Sequence, residues 1–203
     1  HNRIDGNEGS TLMDWTVTDD KCKQFAKQFG SKIYFSWKTA GFEGEMLREN
    51  AKTKSTKFET PEGEILEVGG TRGKESTRRK FPQVSADLSV RWCSAYLKID
   101  VCSIAINNQP RFNNSKTLVV TGERAEESPG RAKYAPFEAH KSDRRDSKKL
   151  ARIVDQYRPV HAWEESAVWA IMERFNVNPH PAYRACWGRL SCASCIFGSN
   201  NQW

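Results

Sequence analysis

Leu118-Val119-Val120-Thr121-Gly122-Glu123-Arg124-Ala125-Glu126-Glu127 reads as a short buried strand that stops at a glycine and passes at once into a helix-prone, charged segment. A strand feeding a helix in this way is the crossover unit of α/β proteins. Downstream, Glu164 to Phe175 places Val168, Ile171, Met172 and Phe175 at i, i+3, i+4 and i+7. That spacing predicts a helix whose apolar stripe is core. Upstream, Phe58 to Val68 around Pro61-Glu62-Gly63 predicts a hairpin, Lys32 to Trp37 a strand and Gly41 to Asn50 a short helix. Thr18 is placed to cap a helix that carries Phe25 and Phe29 on one face, with Gly30 at a left-handed terminus. Val84 to Ile106 is mostly helical in pattern. The expected fold is α/β, in one domain over residues 1–203.

Of 203 residues, 37% are hydrophobic and 28% charged, with seven Trp and ten Phe, enough apolar material to exclude disorder throughout. No run of about 18 apolar residues and no basic-then-apolar leader is present, so a soluble cytoplasmic protein without a membrane partner is expected. The net charge is +7. Its positive residues bunch at Arg72 to Lys80 and at Arg144 to Arg152, so polyanions are expected partners: a nucleotide phosphate or, through these basic loops, DNA or RNA. The blander reading is two solvated loops.

Six cysteines in an expected reducing compartment point to metal or redox chemistry. Cys192-Ala193-Ser194-Cys195 is a Cys-x2-Cys pair, able to grip one metal with both thiols. Cys93 and Cys102 form the upstream pair and would complete a four-thiolate site for zinc or an iron–sulfur cluster. They lie nine residues apart, so one uninterrupted helix would turn them to roughly opposite sides. Cys186 is the rival fourth ligand, and Cys22, beside Phe25, reads as packing. His140, His161 and His180 have no shared metal spacing and read as solvated or capping residues.

Arg124 and Arg131, with Ser128 between them, follow the 118–120 strand, where open α/β sheets bind ligands. Their guanidinium groups suit phosphate or sulfate oxygens; the competing reading is a surface pair with Glu127. Neither Gly-x4-Gly-Lys-Ser nor Gly-x-Gly-x2-Gly occurs.

Three blocks resemble the phosphoadenosine phosphosulfate (PAPS) reductase family of the adenine nucleotide alpha-hydrolase-like superfamily. They are Ile4-Asp5-Gly6-Asn7-Glu8-Gly9-Ser10 with Met13-Asp14-Trp15, then Thr121 to Ser128 with Arg131, then Arg158-Pro159 through Trp163, Val168-Trp169 and Pro179-His180-Pro181-Ala182-Tyr183-Arg184 to Cys195. The resemblance implies a mainly parallel central sheet flanked by helices, with an adenine nucleotide, ATP or PAPS, at its C-terminal edge. Asp5, Gly6 and Glu8 would line that edge, Arg124 and Arg131 would hold its anionic groups, and Arg91 and Lys98 would lie near the phosphates. Cys93, Cys102, Cys192 and Cys195 would hold a 4Fe-4S cluster, with zinc the alternative.

The family's serine and glycine phosphate loop and its Glu-Cys-Gly-x-His tail are not in this sequence. The expectation is therefore a PAPS reductase-like domain lacking its first strand and phosphate loop, with residues 176–203 as its cysteine-bearing end. The spaced single cysteines look closer to relatives that insert sulfur using ATP, such as the DNA phosphorothioation sulfurtransferase. Its expected activity is adenine-nucleotide-dependent sulfur transfer or sulfonucleotide reduction. The alternatives are a nucleic-acid-binding or regulatory module on the same fold, and a metal-stapled subunit completed by a partner protein.

Overall fold

The computed structural model describes residues 1–6, 12–188, 190–198 and 200. In chain order its elements begin with β1 (Asn2–Arg3), α1 (Thr18–Gln28), β2 (Ser36–Lys38), α2 (Gly41–Met46), β3 (Thr56–Glu59) and β4 (Ile65–Val68). There follow α3 (Trp92–Ser94), a π-helical stretch (Ala95–Ile99), α4 (Asp100–Asn107), β5 (Lys116–Val120), α5 (Pro129–Ala132), β6 (Phe137–Ala139), β7 (Ile153–Tyr157), α6 (Glu165–Arg174) and α7 (Pro181–Arg184). The chain forms two compact units, residues 1–105 with 180–203, and residues 106–179. Among the described residues no helix is long and apolar enough to cross a membrane.

The first unit carries a four-stranded sheet in the order β1-β2-β3-β4. β1 and β2 run parallel, with α1 as their crossover, and the other two pairings are antiparallel. The β3–β4 hairpin turns where Pro61-Glu62-Gly63 predicts it, with Gly63 at φ +84°. Ile4, Met13, Phe42, Trp92 and Leu97 form the core, against which Cys93 and Cys192 pack. Gly6 and Gly41 are both left-handed, and a side chain at Gly41 would meet the Asp5 carbonyl oxygen at 2.2 Å. Only glycine lets those two loops approach so closely.

The second unit carries a three-stranded sheet, β5-β7-β6, with β5 parallel to β7 and β6 antiparallel to it. The α/β class therefore holds. Each sheet, however, is mixed: one parallel pair is extended by antiparallel strands, where a mainly parallel sheet was expected.

Two further expectations fail on burial. Leu118 and Val120 of β5 are exposed by 53% and 59%, so this strand is not buried on both faces. The α6 stripe is not core either: α6 buries no residue, and Ile171 and Phe175 are exposed. On α1 the Phe25 and Phe29 rings pack on each other at 4.9 Å, while both remain largely exposed.

Candidate functional site

Helices α3 and α4 are joined without a break through the π-helical stretch, so Cys93 and Cys102 belong to one continuous helical run. Nine residues of helix separate them by roughly 13 Å along the axis. Cys102 consequently lies in a different neighbourhood, within electrostatic reach of the His1 α-amino group. Cys93 instead packs with Cys192 against the same core cluster, and both thiols lie within electrostatic reach of Cys195. Cys93, Cys192 and Cys195 thus lie within electrostatic reach of one another without closing into a metal-holding group among the described residues, and Cys102 is set apart.

The C-terminal segment reaches Cys93 because it is tied down along the Met13–Trp15 turn. The Ala193 N–H donates to the Met13 carbonyl at 2.6 Å, and the Trp187 ring meets Trp15 edge-on at 4.8 Å. Lys98 lies in the π-helical stretch, a local widening that often marks a functional position. Its ammonium donates to Ser191 Oγ at 3.2 Å. Burial pushes the Cys93 and Cys192 thiols up, and the Lys98 charge opposes this in both. These are protonated thiols at neutral pH until a metal or a stronger charge deprotonates them.

Among the described residues, no three His, Cys, Asp or Glu side chains lie close enough together to hold a metal ion. The donors nevertheless suit a thiolate-bound group in kind, with soft sulfurs from two chain segments beside a cation. Cys186, exposed at φ +64° one residue before Trp187, is the remaining cysteine of the same segment.

Asp5 and Asp14 brace each other by exchanging backbone bonds. Asp5 Oδ2 accepts the Met13 and Asp14 N–H groups at 2.6 and 2.8 Å, while Asp14 Oδ2 accepts those of Ile4 and Asp5 at 2.7 and 3.2 Å. Burial pushes the Asp14 carboxyl up, and the amide bonds from Asp5 and Ile4 counter it. Asp5 Oδ1 is buried with no hydrogen-bond partner among the described residues. Gly6 follows at φ +94°, and Glu8 lies outside the described residues.

In the second unit, the loops after β5 and β7 gather the arginine group. Arg124 pairs with Glu126 and Glu165 and reaches the Trp163 carbonyl at 3.4 Å, and Arg131 pairs with Glu127. The surface pair with Glu127 weighed from sequence is present at Arg131, while Arg124 takes Glu126 and Glu165 instead, and an anion at either guanidinium would displace a carboxylate. Sequence reading placed Arg158 in a family block without giving it a role; it is only 5% exposed and is held by Glu123 at 2.6 Å, Glu138 at 2.7 Å and the Ala135 carbonyl at 2.7 Å. Its signal was the acidic Glu123 three residues beyond β5, which needs a cation once it is drawn inward.

Part of each basic cluster is spent on the fold. Arg78 lies over the Trp92 and Tyr96 rings at 4.6 and 4.5 Å and binds the buried Glu45, which Arg48 also binds. Arg79 pairs with Glu49, Arg145 with Asp143 and Asp155, and Arg152 is 2% exposed.

Residues 71–197 match the family model described as the phosphoadenosine phosphosulfate reductase domain, covering the Cys93 helix, the arginine group and the Cys-x2-Cys segment. The chain belongs to the PAPS reductase family. Its superfamily, the adenine nucleotide alpha-hydrolase-like proteins, follows from that membership. An uncharacterized 37.8 kDa protein of the gpa 5' region of Escherichia phage 186 is 28% identical over 123 residues, 61% of this chain. The chain spans about a third of that relative's length, 34%. No solved structure matches.

Proposed function

We propose that this chain is the body of an adenine-nucleotide-dependent sulfur-transfer or sulfonucleotide-reducing enzyme, with Cys93, Cys192 and Cys195 on its reactive face and Cys186 as the fourth thiol. The observation that supports it most is the packing of Cys93 and of Cys192, the first thiol of a Cys-x2-Cys pair about a hundred residues away in sequence, against one core cluster within reach of the Lys98 charge. Thiols so placed by packing, in a family named for sulfonucleotide chemistry, favour sulfur chemistry over a purely structural role.

The chain's own residues have separable tasks in this reading. Asp5 Oδ1 accepts a donor such as a ribose hydroxyl or an adenine amine, since a buried carboxylate oxygen without a partner among the described residues leaves room for one. Arg124 and Arg131 exchange their glutamates for phosphate or sulfate oxygens, which accept from guanidinium in the same bidentate fashion. Lys98 favours the thiolate forms of Cys93 and Cys192 and neutralises charge that builds up beside them. A bound 4Fe-4S cluster would supply electrons or sulfide at these thiols, and zinc would supply a closed staple.

The nucleic-acid alternative loses ground because Arg78, Arg79 and Arg145 are engaged within the fold. Equilibrium dialysis with ATP and with PAPS tests the proposal. Saturable binding of either, weakened about tenfold or more by Arg124→Ala, is the expected result for loss of a charge-assisted bond. Folded protein that binds neither nucleotide, even at millimolar concentration, overturns it.

A further inference from the structure

We propose that His180 is an acid-sensitive latch, which holds the cysteine-bearing segment 181–198 against the Trp15–Thr18 turn and releases it when the imidazole takes up a second proton.

Pro179 and Pro181 bracket the residue, so the chain arrives extended and starts α7 at once, with His180 as its N-cap. The His180 side chain, not a Ser or Asp, accepts the Ala182 N–H, through Nδ1 at 3.1 Å. Accepting there requires the neutral tautomer with its proton on Nε2. Nε2 in turn lies 3.5 Å from Thr18 Oγ1, at the first residue of α1. The ring meets Trp15 edge-on at 5.9 Å, and the same indole meets Trp187. One imidazole therefore joins the start of α1, the Trp15 turn and the helix that leads into Cys186, Cys192 and Cys195.

The consequence of protonation follows from the geometry. His180 is 7% exposed. A proton on Nδ1 turns the acceptor into a donor aimed at the Ala182 N–H, so the cap is lost and two donors face each other. The positive charge so created is also placed among indole, threonine and helix-terminal amides with no compensating anion among the described residues.

The charged groups around the ring do not rescue it. From α1, Lys21 acts against protonation, Asp19 is bound to Arg3 at 2.7 Å, and Asp20 is exposed. From the Trp15 turn, Asp14 is committed to the Ile4 and Asp5 amides. α7 contributes Arg184, a further positive charge. Burial, reinforced by Lys21, accordingly holds the His180 ring below the ordinary histidine range. With a lowered folded value, the unfolded segment binds the extra proton first, so the latch is fully closed above about pH 6.5 and weakens as pH falls below it.

The test compares wild type with His180→Asn, since Asn caps a helix and does not titrate in this range. The readout is the rate of thiol labelling by dithiodipyridine, taken as the ratio of wild type to variant at each pH so that intrinsic thiol ionisation cancels. The ratio is expected to stay near one at pH 7.5 and to rise about fivefold by pH 5, the population change that loss of one cap carries. A ratio flat from pH 7.5 to 5 overturns the proposal. Should the variant fail to fold, the wild-type His180 ring resonance supplies the second test. A midpoint below the ordinary histidine value, coinciding with faster labelling, supports the latch, and labelling that does not follow that midpoint refutes it.

Discussion

The two units solve the same problem with different forces. The first buries Ile4, Met13, Phe42, Trp92 and Leu97 together, so packing positions its cysteine face. The second, among the described residues, buries only Ile106 and Val154 as apolar side chains, and leaves Leu118, Val120, Phe137 and Phe175 largely exposed. Buried guanidinium groups tie its segments together instead. Arg152 donates to the carbonyls of Ser142 and Asn107 and to the side chains of Asn107 and Asn113, at 2.8 to 3.3 Å. Arg158 does the same for Glu123, Glu138 and Ala135. A packed unit answers to lost volume, whereas a polar unit answers to lost partners, pH and salt.

The sharpest way to break this comparison uses one substitution in both places. Leu97→Ala removes a side chain with 0% exposure and is expected to destabilise the first unit by about 3 kcal/mol, whereas Leu118→Ala, at 53% exposure, is expected to stay within about 0.5 kcal/mol. Hydrogen exchange resolved by unit reads both. Equal losses would show that the β5 face is packed after all.

Next in size, Arg152→Met leaves four oxygen acceptors without their donor and is expected to cost the second unit about 3 kcal/mol while the first keeps its protection. A neutral result would reduce the guanidinium to space filling.

Acid provides the smaller test. Burial holds the His140 ring low, so its contribution is complete above the ordinary histidine value and is lost as pH falls below it. Asp143 is held down to about 2, first by its hydrogen bond from Arg145, so its contribution is complete above the usual aspartate value of about 4 and disappears as pH falls through about 2. Unit-resolved exchange should therefore show the second unit loosening in two steps, with the lower one absent in Asp143→Asn. A single step shared by both proteins would contradict that assignment.

The same contrast explains what the sequence could disclose. The hairpin at Pro61-Glu62-Gly63 and the left-handed Gly30 were legible because turn chemistry is local. The α6 boundaries were legible from periodicity, but periodicity names an apolar face without naming what covers it. Val168, Ile171, Met172 and Phe175 therefore predict core while α6 buries none of its residues. At the cysteine face, the Cys-x2-Cys pair was legible and the choice between Cys102 and another partner was not. That choice depends on whether the helix breaks between Cys93 and Cys102, and the π-helical stretch widens the run without breaking it. The role of Arg158 stayed hidden because a buried guanidinium shows itself only through its carboxylates, twenty residues or more away in sequence.

The central claim is that Cys93 shares a face with Cys192 and Cys195 while Cys102 does not. Iron, zinc and sulfide content after anaerobic purification, measured for wild type and for Cys93→Ala, Cys192→Ala and Cys102→Ala, tests it most directly. The account predicts bound metal in wild type and in Cys102→Ala, and its loss in the other two. Metal lost equally from Cys102→Ala, or no bound metal in wild type, would contradict it.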